Sequence, residues 1–390
     1  MKAYFYNQGT CTRVKLYGLD VIELFKVNGW TIVENQIDAD YIFINTCSFL
    51  ESKSSYFLSR VKEIFGGLKK DQRLVVIGCL GGTHREDINK ISECILIFKR
   101  DINEIKDYFR FDKLPKSKVM NVEDKLPLKK ELLYLFNKFI LHSKHIEYRL
   151  KRNKVCYLQI SVGCMGKCSY CSEKFITHLK SRPIDEILES IHDGMERGYK
   201  LFGLNSDDAS CYGKDIGSSL EELLREIVKI DEDIYFSIPE FNPNGLTDEV
   251  IELLKDKKFL YITVPIQSGS NRILKLMKRP YNIERVKESL TKLRSINKRI
   301  KINTHVIVGF PSETEDDFNQ TEYLLSSGLV DRVKVFMYNE RPNTESLNIE
   351  PKITQEEKIR RRDILLKTIK KVNFRHFSLV NIILNKEQLK

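Results

Sequence analysis

The sequence predicts an α/β protein: a small parallel-sheet domain, then a partial (βα)6 barrel, then a basic helical C-terminal extension. Three observations predict it. Over residues 1–112 short apolar runs alternate with helical windows, the pattern of a parallel sheet with crossover helices. From Val155 the alternation returns with six strand-like runs: Tyr157 to Ser161, Leu201 to Leu204, Ile234 to Ile238, Tyr261 to Val264, Ile302 to Val308 and Val333 to Met337. Separated by helical windows such as Ile184 to Gly194 and Ser219 to Ile230, they suit an open βα barrel or a doubly wound sheet. After about Pro351 the chain becomes a basic amphipathic helix with Arg360-Arg361-Arg362 and Lys370-Lys371, followed by a strand-like Phe377 to Leu384.

Taken in order, the N-terminal domain (1–112) has three strands that end near a cysteine. The first leads through Gln8-Gly9-Thr10 to Cys11, Tyr41-Ile42-Phe43-Ile44 leads to Cys47, and Leu74-Val75-Val76-Ile77 leads to Cys79. Residues 113–154 read as a linker rich in Lys and Leu, with Pro115, Pro127 and one helix over Leu132 to Leu141. The barrel follows over 155–350 and the extension over 351–390. From Lys352 to the end there are 11 Lys and Arg against 4 Asp and Glu, a local net of +7 within a chain total of +11. That helix reads equally as a solvated face packing on the barrel or as a docking surface for an acidic substrate.

Composition bounds the rest. With 390 residues, 42% hydrophobic, 31% charged and a mean hydropathy of −0.34, the chain is globular and not disordered. No run approaches the roughly 18–20 apolar residues of a membrane helix, and the N-terminus has no signal-peptide h-region. We therefore expect a cytoplasmic protein with no membrane partner. In that reducing compartment nine cysteines, an odd number, point to metal or thiol chemistry in preference to disulfides.

Cys164-Met165-Gly166-Lys167-Cys168-Ser169-Tyr170-Cys171 follows the first barrel strand. Three thiolates within eight residues, with Gly163 and Gly166 allowing tight turns, can wrap three corners of an iron-sulfur cube and leave one iron open. A structural zinc site is the alternative, but such sites are closed by four ligands, and the nearest histidine, His178, lies seven residues on. Cys11, Cys47 and Cys79 can meet along the carboxyl rim of their sheet, or can be ordinary buried cysteines. Cys94, Cys156 and Cys211 fit no cluster position, although Cys211 lies in a strand-end loop where barrel active sites are built.

The cysteine loop resembles that of the radical S-adenosylmethionine (SAM) superfamily, and the resemblance narrows to its methylthiotransferases over almost the whole chain, to about residue 365. The matching motifs include Gly9-Thr10-Cys11, Ile44-Asn45-Thr46-Cys47, Val76-Ile77-Gly78-Cys79-Leu80, Lys180-Ser181-Arg182-Pro183, Ser206-Asp207-Asp208 with Tyr212-Gly213-Lys214-Asp215-Ile216-Gly217, and Pro265-Ile266-Gln267-Ser268-Gly269-Ser270 running to Met277-Lys278-Arg279. Val308-Gly309-Phe310-Pro311 and Arg341-Pro342-Asn343-Thr344 complete the series.

The resemblance implies a radical SAM barrel and two 4Fe-4S clusters, one on Cys164, Cys168 and Cys171 and an auxiliary one on Cys11, Cys47 and Cys79. One SAM methylates a sulfur held on the auxiliary cluster; a second supplies the radical that opens the acceptor carbon. Carbon-hydrogen becomes carbon-S-methyl. A flavodoxin- or ferredoxin-like electron donor and a sulfur donor are implied as partners. The SAM contacts it suggests are Tyr170, Arg182 as a bidentate partner for the methionine carboxylate, Asp208, Glu240, Gln267 and Ser268. Asp316 and Asp317 read instead as the charged first turn of a helix, and His305, where relatives commonly have Asp, as a neutral barrel histidine.

Relatives usually end in a further TRAM-type β-barrel, and this chain stops about 40 residues after Pro351, too few for one. The loop motif after the second barrel strand is nearest the subgroup that methylthiolates N6-threonylcarbamoyladenosine at tRNA position 37, which pulls toward RNA. The shortened end pulls toward a side chain of a ribosomally made peptide or protein, the acceptor we favour slightly. A non-catalytic iron-sulfur scaffold or sensor is the reading from another class.

Overall fold

The computed structural model describes residues 1–115 and 155–375. The first region is a five-stranded parallel sheet of β1 (Lys2–Tyr6), β2 (Thr31–Ile32), β3 (Tyr41–Thr46), β4 (Arg73–Gly78) and β5 (Leu96–Ile97), in the order β2-β1-β3-β4-β5. Side chains alternate across the central strands. Ile42, Ile44, Leu74 and Val76 pack with Phe57, Val61 and Ile64 of helix Glu51–Gly66, while Phe43, Val75 and Ile77 pack with Val21, Leu24 and Phe25 of helix Thr12–Val27. Burial on both faces is why these strands read as continuous apolar runs. The strand order reverses between β1 and β3, and at such a switch point the carboxyl ends of neighbouring strands open a crevice.

The second region is a six-stranded parallel sheet. Its first strand, β6 (Val155–Gln159), is followed by a short antiparallel ribbon of β7 (Ser161–Val162) and β8 (Lys180–Ser181). Then come β9 (Leu201–Asn205), β10 (Tyr235–Ile238), β11 (Phe259–Thr263), β12 (Lys301–Val308) and β13 (Arg332–Met337), in the order β13-β12-β11-β10-β9-β6. Consecutive neighbours of one hand make a partial barrel, as the alternation predicts. The six expected strands are all present. The ribbon β7–β8 was not expected, because two residues per strand leave no periodicity to read.

Helix starts follow their caps. Thr314 caps helix Glu315–Ser326, its hydroxyl accepting from the Asp317 N–H while the Asp317 carboxylate accepts from the Thr314 N–H at 2.9 Å, a capping box. Asp316 and Asp317 thus occupy the first turn, as read from the sequence. The expected linker helix over Leu132 to Leu141 and the strand-like Phe377 to Leu384 lie outside the described residues. Among the described residues no helix is long and apolar enough to cross a membrane.

Helix Gln355–Arg375 inserts Leu365, Leu366 and Ile369 into the barrel core. Its arginine run is paired internally. Arg361, 5% exposed, reaches Glu313 Oε2 and Glu357 Oε1 at 2.7 Å each, Arg360 reaches Glu315 at 2.5 Å, and Arg362 reaches Asp363 at 2.8 Å. The packing alternative therefore describes this arginine run better than a free basic surface does. Replacing Arg361 by Ala strands the buried Glu313 carboxylate and should cost roughly 3–5 kcal/mol in denaturant unfolding. Arg362→Ala, at a half-buried pair whose partner Asp363 is open to solvent, should cost about 1 kcal/mol.

Candidate functional site

The ribbon β7–β8 closes the neck of a loop that carries Cys164, Cys168 and Cys171. Gly163 sits in the neck at φ 80°, and a Cβ there would come within 2.1 Å of the His178 carbonyl oxygen, so the neck closes only on glycine. The loop is tied down by the Ser169 N–H and Oγ, which donate to the Met277 and Leu276 carbonyls at 3.1 and 2.7 Å. Donors converge on its sulfurs. The Gly166 N–H lies 3.1 Å from Cys164 Sγ, Arg279 Nη1 3.2 Å from Cys168 Sγ, and the Glu173 N–H 3.4 Å from Cys171 Sγ. At Cys171 and Cys164 these donors oppose a net rise, which comes from burial at Cys171, pushed up to about 11, and from the Cys211 contact at Cys164.

In the first domain β1, β3 and β4 deliver Cys11, Cys47 and Cys79 to one rim. Cys11 caps the 16-residue helix Thr12–Val27, whose N-terminus favours negative charge. Its contact with Cys47, with help from Arg13 and Arg100, pulls the Cys11 thiol down to about 5, whereas burial pushes Cys79 up to about 12. Cys47 and Cys79 both feel the charge of Cys11. These three cysteines are neighbours at one end of the sheet, with Cys47 and Cys79 in its hydrophobic core and Cys11 packed against it.

The two cysteine groups meet at a common junction. Ile176, from the barrel's cysteine loop, is buried in the core of the first domain, and a Cβ on Gly82 would lie 2.7 Å from the Phe175 carbonyl oxygen. Beside this contact a cavity of about 200 Å³ opens, far larger than the roughly 10–15 Å³ that holds one water. It is lined by Cys164, Cys168 and Cys171 from the loop and by Arg13, Phe49 and Leu50 from the first domain.

Comparison with known proteins identifies the arrangement. Residues 158–324 match the model of the Radical SAM superfamily, and residues 11–98 match that of the Uncharacterized protein family UPF0004. The ribosomal protein uS12 methylthiotransferase RimO of Caldicellulosiruptor saccharolyticus is 31% identical, over 89% of this chain and 78% of that protein. RimO of Thermotoga maritima is 30% identical over 88% of this chain and 77% of that protein.

The chain belongs to the radical SAM methylthiotransferase family. A probable threonylcarbamoyladenosine tRNA methylthiotransferase of Pyrococcus horikoshii is 29% identical over 88% of this methylthiotransferase and 78% of that protein. Among solved structures, the radical SAM methyltransferase TsrM of Kitasatospora setae, with cobalamin and a 4Fe-4S cluster bound, superposes with a TM-score of 0.60 at 13% identity, covering 88% and 76% of the two chains; this likeness concerns the fold alone. The methylthiotransferase is an enzyme and not the scaffold considered above, and its cofactors are SAM and two 4Fe-4S clusters.

Its residues fit those cofactors. A Cβ on Gly166 would lie 3.1 Å from Cys164 Sγ and 3.8 Å from Cys168 Sγ, filling the space between the sulfurs. Gln267 is held at φ 72°, a strained setting for a non-glycine residue, and its buried side-chain oxygen has no hydrogen-bond partner among the described residues. It lines the cavity with Tyr170, Asp208 and Glu240, so four of the six suggested SAM contacts come together. The other two do not. The Arg182 guanidinium is turned away to Gln159 O, Glu186 O and Ser190 Oγ, tying β6 to helix Ile184–Glu196. Ser268 is fully buried beside Thr321 and accepts from the Ser270 N–H.

Asp208 does double duty: its Oδ1 accepts from Ser210 N–H and Oγ, and its Oδ2 lies 3.7 Å from Cys164 Sγ and 3.6 Å from Cys211 Sγ. Cys211 therefore borders the site, whereas Cys156 is core and Cys94 exposed. Sequence reasoning missed Arg279, although Met277-Lys278-Arg279 stood out as a motif, and it missed Arg13, Arg100 and Glu173, for which no local signal exists.

Burial pushes Glu240 up to about 7, and burial next to Lys334 and Arg13 lowers His305 from 6.5 to about 3. His305 lines the cavity as a neutral imidazole, its ring edge-on to Phe336 at 5.4 Å. Between pH 6.5 and 3 the unfolded chain binds the extra proton, so this residue removes stability as pH falls through that window. Proton NMR of the imidazole should show no titration between pH 8 and 5; a midpoint near 6.5 would contradict the burial argument.

Proposed function

We propose that this chain transfers a methylthio group to an unactivated carbon of a peptide or protein side chain. Cys164, Cys168 and Cys171 hold the cluster that works with SAM, and Cys11, Cys47 and Cys79 hold the auxiliary cluster. The observation that carries this reading is a cavity lined by the barrel's cysteine triad and by Arg13, Phe49 and Leu50 of the domain that carries the other triad. The bound cofactors supply hydrogen abstraction on one side and the transferable sulfur on the other.

The chain's own groups do the rest. Gln267, Asp208 and Glu240 orient SAM, and Arg279 holds the Cys168 sulfur. The side chains of Phe49, Phe336 and Met337 keep water from the reacting carbon. A low-potential flavodoxin- or ferredoxin-like donor supplies electrons, and a sulfide or persulfide donor restores the sulfur.

Two observations support a peptide or protein acceptor. The two relatives named above at 30% and 31% identity carry the uS12 methylthiotransferase name, and the Arg360-Arg361-Arg362 run is paired with the chain's own carboxylates. The loop motif after β9 favours the tRNA reading, and so does one feature of the cavity. Phe49, 40% exposed at the cavity, lies edge-on to Phe336 with Arg341 over its ring, a face on which a splayed-out base can stack.

Anaerobically reconstituted protein given SAM, reductant and sulfide should add an S-methyl mass to a peptide or protein acceptor and not to purified tRNA. The reverse outcome would replace this acceptor with tRNA. Cys47→Ala should lose methylthio transfer while still forming 5'-deoxyadenosine, and Cys168→Ala should lose both.

A further inference from the structure

Between the two triads lies a cluster of four charges that neither composition nor motif announces. Asp207 Oδ1 pairs with Arg13 Nη1 at 2.6 Å, and Arg100 Nη2 pairs with both Asp207 Oδ2 and Glu173 Oε1. The side chains of Arg100 and Asp207 are 2% and 1% exposed. Partners come from both domains: Arg13 and Arg100 from the first, Glu173 and Asp207 from the barrel.

Each charge is tied to a cluster cysteine. Arg13 follows Cys11 by two residues. Glu173 follows Cys171 by two, and its N–H is the one that lies on Cys171 Sγ. Asp207 Oδ2 accepts from the N–H of Gly163 at 2.7 Å, the residue before Cys164. Arg100 interacts electrostatically with Cys79, and its buried Nε has no hydrogen-bond partner among the described residues.

We propose that Arg13, Arg100, Glu173 and Asp207 form a positioning network that fixes the distance and orientation between the two cysteine triads. The proposal rests on the reading of those triads as ligands of two clusters. Apolar contacts at the junction, such as Ile176 in the first domain's core, hold the domains together but tolerate sliding. A buried guanidinium whose Nη2 is shared by two carboxylates does not, because a misplaced partner leaves a buried charge alone. Sulfur transfer between two cofactor sites depends on such placement, since a displacement of about 1 Å can cost on the order of a hundredfold in rate. SAM cleavage at the barrel triad depends on it less, through the contacts that Asp207 and Glu173 make within the cysteine loop and not through the placement of the other triad.

The test uses the full chain with both clusters reconstituted, in the native form and as Arg100→Lys, which keeps the charge but replaces the planar guanidinium by a differently placed ammonium, and Asp207→Asn. Two quantities are read: the magnetic coupling between the reduced clusters by electron paramagnetic resonance, and the ratio of methylthiolated product to 5'-deoxyadenosine. With iron and sulfide content matching the native protein, the coupling should change and the ratio should fall about tenfold or more. If coupling and ratio both stay native, the network is a structural ion pair only and the proposal is overturned. Should Asp207→Asn fail to fold, Glu173→Gln, at a side chain 19% exposed, carries the same expectation. Iron analysis of the native protein separates the two failures, because a native chain that loads only one cluster overturns the two-cluster reading itself and this proposal with it.

Discussion

Neither a carboxylate nor a guanidinium leaves water without a partner, and Asp207 and Arg100 are both almost fully buried where the two domains meet. Each is satisfied only if the other domain is in place. Asp207 also holds the Gly163 amide, so the neck of the cysteine loop, the barrel strand before it and the first domain's sheet are fixed by one set of contacts. Loop shape, cavity shape and the approach of Cys11, Cys47 and Cys79 all follow from that arrangement.

The site is built at the carboxyl ends of two parallel sheets that face each other. This is the rim at which both doubly wound sheets and βα barrels carry ligands, and its joint use brings six thiols to one junction without any of them being close in sequence between the domains. Cysteines at strand ends, helix N-termini and glycine-limited turns have their backbone positions fixed by the fold. Gln267, with its strained backbone and unpartnered oxygen, is the clearest sign that a ligand completes the barrel side.

Much of this was legible in the sequence because the signals are local. The Cys164-Cys168-Cys171 spacing, the strand-end positions of the other three cysteines and the alternation of βα units each need only a window of a few residues. What could not be read depends on contacts between distant residues: Arg13 meets Asp207 across 194 positions and Arg100 meets it across 107. Arg182 shows the opposite failure. Its motif position suggested a carboxylate partner, but an arginine just before a helix can equally bond carbonyls of the strand and helix beside it, as here with Gln159 and Glu186. Arg279 does reach a sulfur of the cysteine loop, that of Cys168, placed there by the turn after helix Asn271–Leu276.

The central claim is that the two triads each hold a cluster on opposite sides of the Asp207–Arg100 pair. Iron anomalous diffraction from crystals of the anaerobically reconstituted chain tests it most directly. The account predicts two separate iron centres, one bonded to Cys11, Cys47 and Cys79 and the other to Cys164, Cys168 and Cys171, with the ion pair between them. Iron at only one triad, or away from both, would contradict it.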